Sequence, residues 1–270
     1  MPITTAIRHT APKKPLGTIV PACHDERGRL AGFVHSFDAG GAVDGPGIRF
    51  VLFVSGCQFR CLYCHNPDTG KMRNGTLMPV DGIIKEIGKY ANFLRFAGGL
   101  TISGGEPLMQ AHFVGEIFQR AKHELGLHTA LDTQGFLAAH LDDLWFNNVD
   151  LVLLDIKHID PDKYKSLTAK PLQPTLDFAQ RLSAMGKKIW IRYVLVPGYT
   201  DDFDDVEKLA DFVAALRGVE RVEVLPFHKM GEDKWDKLGF DYKLKAVSPP
   251  SNALLQRAIG QFRARGLFVC

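Results

Sequence analysis

The chain has 270 residues, 46% of them hydrophobic and 23% charged, which is ordinary for a globular protein and leaves ample material for a core, so wholesale disorder is excluded. Five cysteines are too few for a disulfide framework and point to a reducing, cytoplasmic setting. The 33 basic and 30 acidic residues leave a net charge of +3 with no long basic run, so nothing calls for nucleic acid as a partner. No apolar stretch approaches the roughly 18 residues needed for a membrane span.

Residues 1–24 carry Arg8, Lys13 and Lys14 without any acid, a composition seen in organelle targeting segments. Pro2, Pro12, Pro15 and Pro21 oppose the amphipathic helix such a segment needs, which favours a loosely ordered N-terminal extension, 1–32, ahead of one core domain, 33–270. From there short β-branched runs alternate with stretches of helical period, the pattern of βα units around a parallel sheet. Strands are predicted at 49–55, 100–103, 128–133, 150–157, 188–196 and 221–227. Helices are predicted at 80–94, where Ile83, Ile84 and Ile87 share a side, and at 108–125, where Val114, Ile117, Phe118 and Ala121 do. Three more run over 175–185, stopping at Gly186, over 201–216, opening on acids and stopping at Gly218, and over 251–265, after Pro249-Pro250. Six strands fall short of the eight that close a TIM-type barrel, so the expected α/β fold is a single-domain, partial (β/α)6 barrel, open on one side.

The segment Ser55-Gly-Cys57-Gln-Phe-Arg-Cys61-Leu-Tyr-Cys64-His-Asn66 follows the first predicted strand and packs three cysteines into eight residues. Tetrahedral zinc wants four ligands and a [4Fe–4S] cube has four irons, so three thiolates leave one position free, which suits catalysis. With His65 as fourth ligand the same loop would be a structural zinc site, an alternative that the missing second CxxC pair speaks against. Cys23 and Cys270, at the chain ends, read as incidental thiols.

Other candidates lie downstream. In Ser103-Gly-Gly-Glu-Pro107 the glycines let backbone approach a ligand and Glu106 can receive an ammonium, although a plain strand-to-helix turn with Pro107 at the first helical position looks the same. Asp155 and Lys157, two apart on a strand, share a face as an ion pair or as part of a pocket. Arg192, in Trp190-Ile-Arg-Tyr-Val194, can clamp a carboxylate in bidentate fashion or pair with a neighbouring acid. His228 alone reads as an exposed loop residue, and Asp44 as part of a turn. Gly104, Asp132, Asp155 and His228 nonetheless fall at or just beyond the C-terminal ends of four predicted strands, and Cys57 follows a fifth. That rim is where β/α barrels build active sites.

Cys57, Cys61, Tyr63 and Cys64 resemble the CxxxCx-aromatic-C loop of the radical S-adenosylmethionine (SAM) superfamily. Val43-Asp-Gly-Pro-Gly-Ile-Arg49, Phe53, Gly56 and Asn66 extend the resemblance to the proteins that activate glycyl radical enzymes, over about residues 33–270. No cysteine lies between Cys64 and Ser103, where relatives acting on other glycyl radical enzymes commonly insert a ferredoxin-like segment, and this favours pyruvate formate-lyase as the partner. An activator of a different glycyl radical enzyme is the alternative.

The resemblance implies a [4Fe–4S] cluster held by Cys57, Cys61 and Cys64, with SAM chelating the fourth iron. Reductive cleavage of SAM then produces a 5′-deoxyadenosyl radical, which takes hydrogen from a glycine loop of the partner under anaerobic conditions. It places Gly104, Gly105 and Glu106 on SAM's amino group, His228 beside the nucleoside, and Tyr63, Cys64, His65 and Asn66 along the adenine side. It adds Asp155, Ile156, Lys157 and Arg192 to the SAM pocket. A monovalent cation falls to Asp132, Thr133, Asp155 and the Leu153 carbonyl, and contact with the incoming glycine loop to Asp44. It also implies a flavodoxin- or ferredoxin-type electron donor and a monomer.

Overall fold

The computed structural model describes residues 18–270, so the targeting reading of 1–24 falls mostly outside the described residues. Its strands are β1 (Cys23–His24), β2 (Leu30–Gly41), β3 (Ile48–Val54), β4 (Thr76–Pro79), β5 (Gly98–Gly104), β6 (Thr129–Thr133), β7 (Leu151–Asp155), β8 (Lys188–Leu195) and β9 (Val219–Pro226). The α-helices are α1 (Val80–Gly88), α2 (Ala91–Ala97), α3 (Ala111–His123), α4 (Pro161–Thr168), α5 (Gln173–Ala184), α6 (Phe203–Ala214), α7 (Glu232–Lys237) and α8 (Asn252–Arg263).

The six expected strands are β3, β5, β6, β7, β8 and β9, which pair in that order and all in parallel. Among the described residues β9 pairs with no named strand other than β8, so the curved sheet stays open as an α/β partial barrel. Alternation along the strands explains why it curves around a polar interior. Leu100, Ile102, Leu131, Val152, Leu154, Ile189 and Ile191 face outward into one core shared with Ile87 of α1, Ile117 of α3, Leu182 of α5 and Leu209 of α6. Thr101, Ser103, Asp132, Asp155, Arg192 and Glu223 alternate with them, over a small apolar floor of Ala130, Leu151, Leu153 and Trp190.

Three strands lie beyond the expected set. β2 adds antiparallel to β3, and β1 and β4 pair with β2, so the ordered sheet begins at Cys23, inside the segment expected to be a loose extension up to residue 32. β2 carries Gly32, His35, Ser36, Asp38, Gly40 and Gly41, a pattern without apolar alternation, and its place depends on distant contacts. A Cβ at Gly32 would stand 2.3 Å from the Phe113 ring, so glycine lets β2 lie on α3. Helix boundaries also shift. The span 80–94 breaks at Lys89-Tyr90 into α1 and α2, and 108–125 opens with a 3-10 turn, Pro107–Gln110, before α3. α4 and α7, short and highly charged, were not anticipated. No helix among the described residues is long and apolar enough to cross a membrane.

Candidate active site

Cys57 leaves the top of β3 on a loop pinned at both ends by backbone hydrogen bonds. Ser55 N donates to Phe33 O at 2.9 Å, Gly56 N to Thr69 O at 2.7 Å and Cys57 N to Gly70 O at 3.2 Å. Farther along, Arg60 N donates to Thr168 O at 2.9 Å and Leu62 N to Leu167 O at 3.0 Å, so α4 carries the far end of the loop. The Gln110 side chain closes the near end: Oε1 accepts from Phe33 N at 2.8 Å, while Nε2 donates to Phe33 O at 2.8 Å and to Ser55 O at 2.9 Å. Cys57, Cys61 and Cys64 are all unbridged. Burial drives the Cys57 and Cys64 thiols up, and pushes Cys61 up to about 12 against the pull of Lys157. Thiols so desolvated ionise when a metal centre supplies positive charge.

Next to the loop, β5 ends at Gly104, whose φ is +109° and whose Cβ would stand 2.5 Å from Val54 backbone; a Cβ at Gly105 would stand 2.2 Å from Gly56 O. Glycine at both positions lets the two strand ends close to backbone contact. Glu106 N then donates to Gly56 O at 2.7 Å. The Glu106 carboxylate is fully buried and already bonded: Oε1 accepts from Thr133 Oγ1 at 2.6 Å and Leu108 N at 2.9 Å, and Oε2 from Gln134 N at 3.1 Å. Burial pushes its pKa up to about 7 despite those bonds, and its work is to brace β6 against the glycine turn.

The inner face holds a chain of charges. Register sets Asp155 opposite Arg192 and Arg192 opposite Glu223. Arg192 donates to Glu223 at 3.0 Å, to Asp132 Oδ2 at 3.2 Å and to Val43 O, and Asp132 Oδ2 also accepts from Ser103 Oγ at 2.6 Å. The guanidinium therefore pairs with neighbouring acids instead of standing free to clamp a ligand carboxylate. Asp155 and Lys157 pair at 2.7 Å, with Lys157 Nζ 5.8 Å from the Tyr63 ring centroid. Burial opposes the Lys157 charge, but Asp155, Tyr63 and Cys61 outweigh it and hold its pKa well above the usual value. Ile156 is fully buried behind this pair and donates its N–H to Arg192 O at 3.1 Å. The side chains expected to share a cation are each bonded to another residue, Asp132 to Arg192, Thr133 to Glu106 and Asp155 to Lys157.

His228 sits just past β9, and its ring stacks on His65 with centroids 4.0 Å apart, His65 Nε2 donating to His228 O at 3.1 Å. Burial, followed by the His228 ring, lowers the His65 pKa. Asp44 lies half-buried near Arg192; its carbonyl accepts from Thr101 Oγ1 at 2.6 Å, and burial raises its carboxyl.

Three residues that no motif flagged grip the same loop. Trp235 Nε1 donates to Cys64 O at 2.8 Å, Lys234 Nζ to Asn66 Oδ1 at 2.8 Å, and a Cβ at Gly231 would stand 2.8 Å from His65 Cα. They belong to α7 and the turn before it, and their signal is purely spatial.

The donor set suits an iron–sulfur cube and a polar organic ligand. A cube's three protein sulfurs bind three different irons and so need not converge on one point, in keeping with the finding that no three His, Cys, Asp or Glu side chains among the described residues converge on a single metal ion. Buried and unpartnered polar atoms, Gln58 Oε1 and Nε2, Tyr63 OH, Asp132 Oδ1 and His228 Nδ1, lie on or beside the loop and the rim, the pattern left where a ligand completes the hydrogen bonding.

Comparison with known families matches residues 51–213 to the radical SAM superfamily. A pyruvate formate-lyase-activating enzyme of Staphylococcus aureus (strain USA300) is 45% identical over 246 residues, covering 88% of this chain and 97% of that protein. Among solved structures, a domain of pyruvate-formate lyase-activating enzyme from Bacteroides vulgatus superposes with a TM-score of 0.54 at 26% identity, over 64% of this chain and 98% of that one. Streptococcus suis SuiB bound to S-adenosylmethionine shares the fold, with a TM-score of 0.62 at 14% identity over 84% of this chain and 50% of that one. Members of the superfamily carry a [4Fe–4S] cluster and SAM, and on the breadth of these matches the chain belongs to the radical SAM superfamily and, within it, to the family of pyruvate formate-lyase-activating enzymes.

Proposed function

We propose that this chain installs a glycyl radical on pyruvate formate-lyase, and that it works in the cytoplasm, as a monomer, fed by a flavodoxin- or ferredoxin-type donor. The observation that carries this reading is the three-cysteine loop on the rim of an open parallel barrel, in a chain alike along nearly its whole length to an activating enzyme. When bound, the cluster supplies the electron that breaks SAM's sulfonium bond, giving methionine and the adenosyl radical that takes hydrogen from the partner's glycine.

The chain's own residues bind, orient and exclude water. Cys57, Cys61 and Cys64 hold the cluster. The turn Gly104-Gly105-Glu106 receives SAM's amino group, with the Glu106 side chain holding that turn in place. Lys157, fully charged beside Asp155, meets SAM's carboxylate end. The stacked His65 and His228 rings offer an aromatic wall, and His228 Nδ1 a polar atom, to the nucleoside. Tyr63, buried against Leu167 and Phe227, keeps water from the far side. A monovalent cation has one unsatisfied oxygen to bind, Asp132 Oδ1, since Arg192 and Lys157 already neutralise the nearby acids. Asp44, on the loop between β2 and β3 that Thr101 and Arg192 hold, meets the entering glycine segment.

The test is anaerobic reconstitution with iron and sulfide, then SAM, dithionite and pyruvate formate-lyase. Methionine, 5′-deoxyadenosine and a carbon-centred doublet in electron paramagnetic resonance are expected. A loaded cluster that leaves SAM intact would refute the reading, and a doublet on a different glycyl radical enzyme alone would reassign the partner.

A further inference from the structure

Cleaving SAM consumes one electron that SAM itself does not carry, so the proposed reaction needs an outside carrier to approach the cysteine loop. Along the loop itself the charges are one-sided, while α7 beside it carries Glu232, Asp233 and Asp236 with Lys234 and Lys237. From Gln58 to Gly75 the chain holds Arg60, Lys71 and Arg73 and a single acid, Asp68, which is spoken for by His35 at 2.9 Å and Lys234 at 3.2 Å. Arg60 is exposed, with Nη1 2.7 Å from Cys57 O, and Lys71 follows Gly70, whose carbonyl accepts from Cys57 N. Across the loop, Lys170 stands two residues past Thr168, the acceptor for Arg60 N; its Nζ is 5.8 Å from the Phe136 ring, itself edge-on to Phe59 at 5.4 Å. None of these four cations forms an ion pair among the described residues, and no acid lies between Lys163 and Thr175. In a chain whose overall excess is only +3, unneutralised charge gathers beside the thiols.

We infer that Arg60, Lys71, Arg73 and Lys170 form the docking face for the electron carrier, and that this carrier is an acidic protein. The inference rests on the reductive reaction proposed above. Opposite charge speeds encounter and sets orientation, an effect that salt screens. The carrier gives up one electron per SAM cleaved and leaves oxidised by one electron, while the sulfonium carbon–sulfur bond breaks to methionine and the adenosyl radical.

The experiment compares the reconstituted wild type with Lys71→Glu/Arg73→Glu/Lys170→Glu and with the glutamine triple variant; Arg60, which also braces the loop, is left intact. Binding of oxidised flavodoxin is followed by flavin fluorescence at low and at 0.5 M salt. Wild-type binding is expected to weaken with salt. The glutamate variant is expected to bind at least tenfold more weakly and the glutamine variant to fall between. Flavodoxin-driven SAM cleavage should drop in step, while cleavage driven by dithionite, which needs no docking, stays within twofold of wild type. Equal flavodoxin affinity in all three proteins overturns the inference. So does loss of dithionite-driven glycyl radical with SAM cleavage intact, because the face would then belong to pyruvate formate-lyase. A wild type that fails to cleave SAM even with dithionite refutes the proposed function, while the binding comparison still judges the docking face.

Discussion

At the scale of single residues, the three thiols of the loop and the thiol at the N-terminal end of the sheet make a contrast. Replacing any one of Cys57, Cys61 or Cys64 with alanine is expected to abolish SAM cleavage and the brown cluster absorbance, whereas Cys23→Ala, on a partly exposed strand end, leaves both unchanged. Trp235→Phe keeps the ring that packs on Phe240 and Tyr242 but removes the donor to Cys64 O. A hydrogen bond of this kind is worth roughly 1 kcal/mol, about fivefold, so the KM for SAM should rise several-fold with iron content unchanged, as measured by titration and metal analysis. The cysteines were legible because their spacing is chemical information carried within one short segment. Trp235 was not, since its partner is 171 residues away and nothing in its neighbours encodes that meeting. Glu106 adds what no motif shows: its carboxylate accepts from Thr133 Oγ1, Leu108 N and Gln134 N, tying β6 to the glycine turn.

At the scale of elements, the strand β2 and the helix α7 hold the site from either side. Gln110 acts as a strand neighbour to Phe33 and Ser55, so Gln110→Ala strands buried backbone groups and should cost roughly 2–4 kcal/mol, read from urea denaturation. A methyl at Gly231 meets the His65 backbone, and the backbone cannot yield as a flexible side-chain tip would. Gly231→Ala should therefore push α7 off the loop and weaken SAM binding roughly tenfold, about 1.4 kcal/mol, with little change in melting temperature. The parallel strands were readable because short apolar runs rich in β-branched and aromatic residues, broken by polar residues on the inner face, recur between stretches of helical period. β2 was not, being a glycine-rich strand without apolar alternation whose pairing is enforced by α3 and Gln110 rather than by its own pattern.

For the whole molecule, one buried and one partly buried histidine set an acid limit on stability. His128 and His158 have pKa values lowered chiefly by burial, with Arg49 adding to the effect on His128. The native state then binds fewer protons than the unfolded chain below about pH 6.5, so stability falls as pH drops through that point toward the folded-state values. The melting temperature should decline below pH 6.5. His158→Asn, whose side-chain oxygen can take over the bond from Asp160 N, should make that decline shallower, as followed by circular dichroism across the pH series.

Taken alone, the sequence carried the three-cysteine motif, the positions of the six parallel strands and the α/β class, because each depends on residue type and short-range period. The tertiary structure alone decided that the sheet continues through β2 to β1 and β4, that Arg192 is held by Asp132 and Glu223, that Glu106 braces a turn, and that α7 closes over the cysteine loop. Those outcomes depend on which distant groups meet, and a hydrogen bond or an ion pair has no period along the chain that would announce its partner.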